Sequence, residues 1–567
     1  MTLLDEFTHG QRMAYFSMET ALHNDIPTYS GGLGILAGDT MHSAVDLEIP
    51  MVAVSLVSRA GYFRQEIDAQ GNQIEHDDSW DPSQWATPLN AKVSVMIAGR
   101  TVWIMGWLYL LKGHINDSHQ PVILLDTDID DNDAKDRDIT SHLYGGDDSY
   151  RLKQEIVLGV GGVRMLQALG FDIHKYHMNE GHSALLVVEL LRRYSYASNE
   201  LHSGESPYDI PRVREMCSFT THTPVEVGHD QFAYDMVSQI MGDVIDIATL
   251  KHLAGPDHLN MTRLALNMSE YVNGVAERHA ELSRKMYPGY RVHAITNGVH
   301  PYTWTHPAFV KLYDEVLPGW CHEPELLVRS DCCIPAERIR KAHQEAKSDL
   351  LALVEQQRSV RLDPAVAVLG FARRMTAYKR PDLLFSDLDR LLGIAAKWPF
   401  QIVLAGKAHP KDNGGKELIR HLHDHMRYLD GKLPVVYLPD YDMKVALAMV
   451  AGVDLWLNTP LRPLEASGTS GMKAAFNGVP SLSVLDGWWI EGHVEGVTGW
   501  AIGEISESSN GDDALSLYKK LEQVILPMYY EQPEQWLKVM MGAMSKNASF
   551  FNSHRMMRRY VTEAYVS

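Results

Sequence analysis

Cysteine is scarce in this chain. Four occur in 567 residues, at Cys217, Cys321, Cys332 and Cys333, and none form a C-x-x-C pair. That excludes a disulfide framework and fits free thiols in a reducing compartment. No apolar run reaches the roughly 18 residues that a membrane-spanning helix needs. The first ten residues carry Asp5 and Glu6 and no basic stretch ahead of an apolar one. No signal peptide is therefore expected, and a cytoplasmic location follows. Positive charge is also short, with 52 Lys and Arg against 72 Asp and Glu and a net charge of -20. Nucleic-acid and membrane-surface partners need a basic face, so neither is expected. Any local basic cluster is correspondingly more informative. Low-complexity segments and short-period repeats are absent as well.

What is present is the balance of a globular protein, 45% hydrophobic and 22% charged. The length suggests two large domains. Short apolar runs alternate with helical patterns. Candidate strands are Met51–Val57, Val122–Leu125, Tyr176–Met178 and Cys217–Thr220, then Ala365–Gly370, Gln401–Ala405, Val435–Leu438, Val453–Leu457 and Ser481–Val484. Leu185, Val188, Leu190 and Leu191 give Ala184–Arg193 a helical spacing. The alternation predicts an α/β fold with mostly parallel sheets, in two Rossmann-like, doubly wound domains facing across a cleft. The join is expected at Thr296-Asn297-Gly298-Val299-His300-Pro301, where Asn-Gly favours a turn and Pro301 discourages a helix. This gives an N-terminal domain over 1–298, a C-terminal domain over 299–540, and a helical segment over 541–567 packing back on the first. Ligands of such sheets bind beyond the carboxyl ends of the strands.

Three stretches carry chemistry. Ser30-Gly31-Gly32-Leu33-Gly34 leads into a helical pattern from about Ile35, an arrangement that lets backbone N–H groups and a helix dipole meet an anion. Phe371 to Arg380 holds Arg373, Arg374, Lys379 and Arg380 with no acidic residue, directly after a buried-type strand. Arginine forks and a lysine point charge there suit more than one phosphate. Glu465-Ala466-Ser467-Gly468-Thr469-Ser470-Gly471 then enters a helix carrying Lys473 among Met472, Ala474, Ala475 and Phe476. An amine in apolar surroundings has a lowered pKa and forms Schiff bases readily.

Other stretches are read more plainly. Thr220-Thr221-His222-Thr223-Pro224 and His177-Met178-Asn179-Glu180-Gly181-His182 each follow a strand; the second lacks the spacing of a zinc helix. Asp126 to Asp131 begins like a calcium loop, but Asp131 replaces the sixth-position glycine and Arg137 the final Glu, so a solvated acidic loop is expected. His421-Leu422-His423-Asp424-His425 reads as an exposed helix face. No metal site is expected.

Taken in order, these stretches resemble the glycogen/maltodextrin phosphorylase family, in its short bacterial and archaeal form. The resemblance runs from about Ala14 to Val494. It rests on Tyr15-Phe16-Ser17-Met18-Glu19, Gly31-Gly32-Leu33-Gly34, Arg151-Leu152-Lys153-Gln154-Glu155, Thr221-His222-Thr223, Tyr271 to Ala276, Thr296-Asn297-Gly298, Tyr378-Lys379-Arg380 and Glu465 to Thr469. It implies the glycosyltransferase-B architecture and reversible phosphorolysis of α-1,4-glucan to glucose 1-phosphate with retention. Lys473 would carry pyridoxal phosphate as a Schiff base. Gly31, Gly32, Arg373, Lys379 and Thr469 would surround the cofactor phosphate and the adjacent substrate phosphate, and Arg374 would clamp the latter. His222, Glu465 and Asn297 would contact the glucosyl unit; Tyr378, Ser467 and Gly468 would line its pocket. Partners implied are α-1,4-glucan or maltooligosaccharide, inorganic phosphate and a second copy of the chain in a homodimer.

Departures from the family pattern are Arg373 for a usual Lys, Ser470-Gly471 for Gly-Asn, and Asp442 after Tyr441 where an Arg is common. The chain also starts near its first strand, so the regulation that larger members carry on an N-terminal extension is not expected. Two alternatives are a non-catalytic glucan-binding protein on the same fold, against which every expected anion-site position is filled, and a nucleotide-sugar glucan synthase, to which the resemblance is weaker. Those enzymes have a Lys shortly before the glycine loop, where this chain has Tyr29 and Ser30, and a second Glu where it has Lys473.

Overall fold

The computed structural model describes residues 4–197, 201–202, 205–225, 228–242, 244–505 and 511–566. Strands Gln11–Ser17, Met51–Leu56 and His119–Asp126 run side by side in parallel. Each alternates between two buried faces, as a period of two requires. Ala14, Phe16, Val52, Val54, Ile123 and Leu125 enter one core, and Met13, Tyr15, Met51, Ala53, Val122 and Leu124 the other. Coverage on both faces is why these strands read as continuous apolar runs.

Among the described residues this first sheet has nine strands. From one edge they are His293–Ala294, Tyr271–Gly274, Cys217–Thr220, Asp172–Asn179, Gln11–Ser17, Met51–Leu56, His119–Asp126, Arg100–Lys112 and Thr87–Ile97. The last two form an antiparallel hairpin closed by Ala98 and Gly99, both at positive φ. The second sheet has six parallel strands, ordered Val435–Leu438, Phe400–Ala405, Ala367–Ala372, Leu455–Asn458, Ser481–Val484 and Gly499–Ile502. Mixed α/β structure with two large, mainly parallel sheets is what the alternation predicted. No helix among the described residues is long and apolar enough to cross a membrane.

Several expectations shift. The strand expected at Ala365–Gly370 runs over Ala367–Ala372, because the Asp363 carboxylate accepts the Ala365 N–H at 2.8 Å and holds the start in a turn. Arg373 therefore follows the strand end directly. The helix expected over Ala184–Arg193 is Leu186–Arg193. Asn297-Gly298 is not a turn. Gly298 lies flat against Asn552, where an added Cβ would come within 2.1 Å of backbone atoms, and Val299 exchanges backbone hydrogen bonds with Phe551 and Ser553. The glycine serves close approach rather than a left-handed bend.

The acidic loop is not solvated throughout either. Asp126 is fully buried, ion-paired to Arg59 at 2.6 Å and accepting the Trp107 Nε1–H at 2.8 Å, while Asp130 is exposed. On the helix Asn413–Leu429, His423 is buried with Nδ1 2.9 Å from the Ile419 carbonyl, so only His421 and its exposed neighbours form the expected outer face. The helix Ser553–Tyr560 covers the first sheet: Met556, Met557 and Tyr560 join Met13, Tyr15 and Met41, and the Asn273 Nδ2–H donates to the Tyr560 hydroxyl at 3.0 Å.

Candidate active site

The carboxyl ends of both sheets open onto one cavity of about 560 Å³. From the first sheet, the strand Gln11–Ser17 delivers Glu19 and then the glycine loop, and Cys217–Thr220 delivers His222. From the second, Ala367–Ala372 delivers Arg373 and Arg374, and Leu455–Asn458 leads to Glu465 and the helix Ser470–Phe476. Gly31, Gly32, His222, Asn297, Arg373, Arg374, Tyr378, Lys379, Glu465, Ser467, Gly468, Thr469 and Lys473 all line this cavity. They are the residues singled out from sequence, and they come from loops up to several hundred positions apart.

Lys473 is buried, with Nζ 3.4 Å from the centroid of the Trp304 ring. Burial pushes its amine down to about 8, with Asp39 pulling the other way. Asp39 is raised by its own burial and is held under the indole, whose Nε1–H it accepts at 2.9 Å. A desolvated amine stacked on an aromatic face is poised as a nucleophile toward a carbonyl.

Glu465 bridges two cations, with Arg373 at 2.6 Å and Lys379 at 2.7 Å. Burial alone would raise its carboxyl, but Arg373 and Lys379 outweigh that and hold it at about 2. Arg373 also reaches Asn458. Among the described residues Arg374 forms no ion pair; its guanidinium opens onto the cavity, 3.5 Å from Ser30 Oγ and beside Gly31, where an added Cβ would lie 3.2 Å from Nη2. Lys379 Nζ stands 4.5 Å over the Tyr378 ring.

The glycine loop differs from expectation in one respect. Glu19 Oε2 accepts the N–H groups of Ser30 at 2.5 Å and Gly31 at 3.2 Å, while Oε1 accepts the Tyr144 hydroxyl at 2.9 Å. Gly31 therefore contributes its missing Cβ rather than its own donor. The dipole expected to favour an anion is that of the helix Gly32–Asp46, which starts at the cavity.

On the side formed by the first sheet, His222 Nε2 lies 2.6 Å from Asn179 Oδ1, and the His222 N–H donates to Glu180 at 2.8 Å. Burial keeps this imidazole at about 4, against the pull of Glu180, so it is neutral. Asn297 donates from Nδ2 to Ser467 Oγ at 3.2 Å, and its buried Oδ1 has no partner among the described residues. His177 bonds with Tyr565 and Thr220 inside the fold, away from this set. Asp442 caps the helix Met443–Gly452, accepting the Val445 N–H at 2.7 Å, so its carboxylate is engaged at the helix start.

A sequence model described as carbohydrate phosphorylase matches residues 229–496. Maltodextrin phosphorylase of Thermococcus litoralis is 38% identical over 97% of this chain and 70% of its own length. Glycogen phosphorylase of Aquifex aeolicus is 34% identical over 99% of this chain and 87% of its own. An uncharacterized protein of Methanocaldococcus jannaschii is 30% identical over 97% of this chain and 99% of its own. This chain belongs to the carbohydrate phosphorylase family. It is a glycosyltransferase enzyme of the phosphorylase type.

For this family member, sequence reasoning missed Glu19, Asp39, Trp304 and Asn458 as parts of the site. Glu19 had a signal, standing two residues past a strand in a stretch the resemblance uses. Asp39 and Trp304 had none, since their contact joins positions 265 apart.

Proposed function

We propose that the protein is an α-glucan phosphorylase, cleaving the terminal α-1,4 glucosyl unit of a glucan or maltooligosaccharide with inorganic phosphate to give α-D-glucose 1-phosphate with retention. The observation that carries this reading is a buried lysine, its amine lowered by burial, in one cavity with Arg373, Arg374, Lys379 and Lys407. Glu465 and Asp440 offset part of this positive charge, and bound anions offset more of it.

The residues fit pyridoxal phosphate. Lys473 would hold its aldehyde end, and Gly32, Thr469, Arg373 and Lys379 its phosphate. When bound, that group supplies a phosphate able to exchange a proton with a neighbouring orthophosphate. The protein's own groups do the rest. Arg374, which forms no ion pair among the described residues, holds orthophosphate by charge-assisted hydrogen bonds. Lys379 and Arg373 are engaged by Glu465 in the free protein; an incoming phosphate competes for them and releases the carboxylate toward the sugar. Asn297 Oδ1, which has no partner among the described residues, accepts from a sugar hydroxyl, and neutral His222 hydrogen-bonds another. The held phosphate balances positive charge developing at the anomeric carbon, in a cavity whose fixed dipoles replace water. Retention without two close carboxylates distinguishes this from hydrolysis.

The same reading places the enzyme in the cytoplasm, working as a homodimer. The test is glucose 1-phosphate release from maltoheptaose by the reconstituted enzyme. Release that depends on added phosphate supports the proposal. Consumption of ADP-glucose with no phosphorolysis would overturn it in favour of a synthase.

A further inference from the structure

The helix that begins at the glycine loop ends at Asp46, a carboxylate 1% exposed. Among the described residues no lysine or arginine pairs with it; its titratable neighbours are His300 and His554, both 0% exposed, together with His42 and His114. Asp46 Oδ2 lies 2.9 Å from His300 Nε2 and 3.9 Å from His554 Nε2. The three donor atoms fall within 4.8 Å of one another. Asp46 Oδ1 is turned away, accepting the His114 N–H at 2.7 Å, so Oδ2 is left for the imidazoles.

We propose that Asp46, His300 and His554 form a binding site for a zinc-class divalent cation that ties three chain segments together. The proposal departs from the expectation of no metal site drawn from sequence, where Asp46 and His300 stand 254 positions apart and nothing marks them as neighbours.

Four observations support the site. A buried carboxylate needs a compensating charge, and none comes from a basic side chain. His554 Nε2 is buried without any hydrogen-bond partner and faces Asp46, which a hydrogen-bonded cluster alone leaves unexplained. Donors of a tetrahedral zinc site, at roughly 2.1 Å from the ion, stand about 3.3 Å from each other. The observed 2.9 and 3.9 Å bracket that spacing. Finally, the far ring nitrogens are oriented from outside, as metal-binding histidines require: His300 Nδ1 is 2.7 Å from Thr303 Oγ1, and His554 Nδ1 is 3.0 Å from Ser43 Oγ. A fourth ligand is water or His42, whose ring centroid is 5.2 Å from that of His300 and whose buried Nδ1 has no partner.

The role of the cation is structural. Asp46 ends the helix whose other end opens the active cavity, His300 lies in the crossover between the sheets, and His554 begins the C-terminal helix. With about 1.5 Å of rise per residue, the cation stands roughly 20 Å from the reacting groups. It would fix the helix that presents Gly32 without touching substrate.

The experiment uses the full-length holoenzyme, stripped by dialysis against a chelator and titrated with cobalt(II), then zinc(II). The proposal predicts one cobalt per chain with the visible bands of a four-coordinate ion, displaced by zinc, and a melting temperature raised by zinc. His554→Ala should lose the bands, whereas His421→Ala, on an exposed helix face, should keep them. Should His554→Ala fail to fold, Thr303→Val serves instead: affinity should drop about tenfold, the cost of losing an outer hydrogen bond to a ligand. Absence of stoichiometric binding in the wild-type protein, bands that survive His554→Ala, or unchanged affinity in Thr303→Val would each overturn the site.

Discussion

Lys473 and Trp304 make the most consequential contact at the scale of single residues. The amine is held 3.4 Å from the indole centroid and lowered to about 8 by burial, which leaves a usable neutral fraction near neutrality. Lys473→Ala is expected to remove the visible absorption of the cofactor and all phosphorolysis, read by spectrum and by glucose 1-phosphate release. Arg374→Ala should raise the KM for phosphate far more than that for glucan; losing one charge-assisted contact of about 1.5–3 kcal/mol predicts a 10- to 100-fold rise, and equal losses on both substrates would contradict its role.

Glu465 gives a pH signature. Its folded pKa of about 2 lies below the unfolded value near 4.5, so its contribution is complete above the unfolded value and is lost as pH falls toward 2. That depression corresponds to about 3 kcal/mol. In urea titrations Glu465→Gln should flatten the acid limb of stability between pH 4.5 and 2. Lys473, Glu465 and the basic run were legible because charge stood against apolar or acidic surroundings within a few positions. Trp304 and Asp39 were not, because their partnership exists only after folding.

The helix Gly32–Asp46 shows what an element must satisfy to present a backbone to an anion. Its Gly38 rests on Ala21, where an added Cβ would meet the carbonyl oxygen at 2.1 Å, and Gly34 rests on Glu19 at 2.6 Å. Gly38→Ala must push the helix outward, at a cost of about 1–3 kcal/mol, visible as a lower urea midpoint, and should weaken cofactor retention with it. Strands such as Cys217–Thr220, Val435–Leu438 and Ser481–Val484 were readable to the residue because they are buried on both faces and bounded by turn residues. Thr87–Ile97 and Arg100–Lys112 escaped the reading: they leave many side chains half exposed, so no continuous apolar run marks them. Tyr271–Gly274 escaped because four residues, two of them Asn and Gly, carry too little pattern.

Across the whole molecule, the two sheets are clasped by polar contacts beside the cavity. Gln65 donates from its backbone to Asp440 at 2.9 Å and from Nε2 to the Gly406 carbonyl at 2.9 Å, and Lys416 pairs with Glu75 at 2.8 Å. Ser553–Tyr560 in turn packs back on the first sheet. Truncation before Ser553 would uncover the pocket that Met556, Met557 and Tyr560 fill. At about 1.5–3 kcal/mol for each large side chain, a loss of about 5 kcal/mol or more is expected, read as collapse of near-ultraviolet circular dichroism and rapid proteolysis of the N-terminal half. The alternation of strands and helices made the paired parallel sheets legible. The route of the last segment was not readable in detail, since it depends on contacts across the whole chain.

The central claim is that Lys473 anchors pyridoxal phosphate in the shared cavity. Its most direct test is reduction of the cofactor-loaded protein with borohydride, followed by proteolysis and mass mapping. The account predicts one pyridoxyl-phosphate group per chain, on the peptide containing Lys473. A protein that takes up none, or carries the group on another lysine, would contradict it.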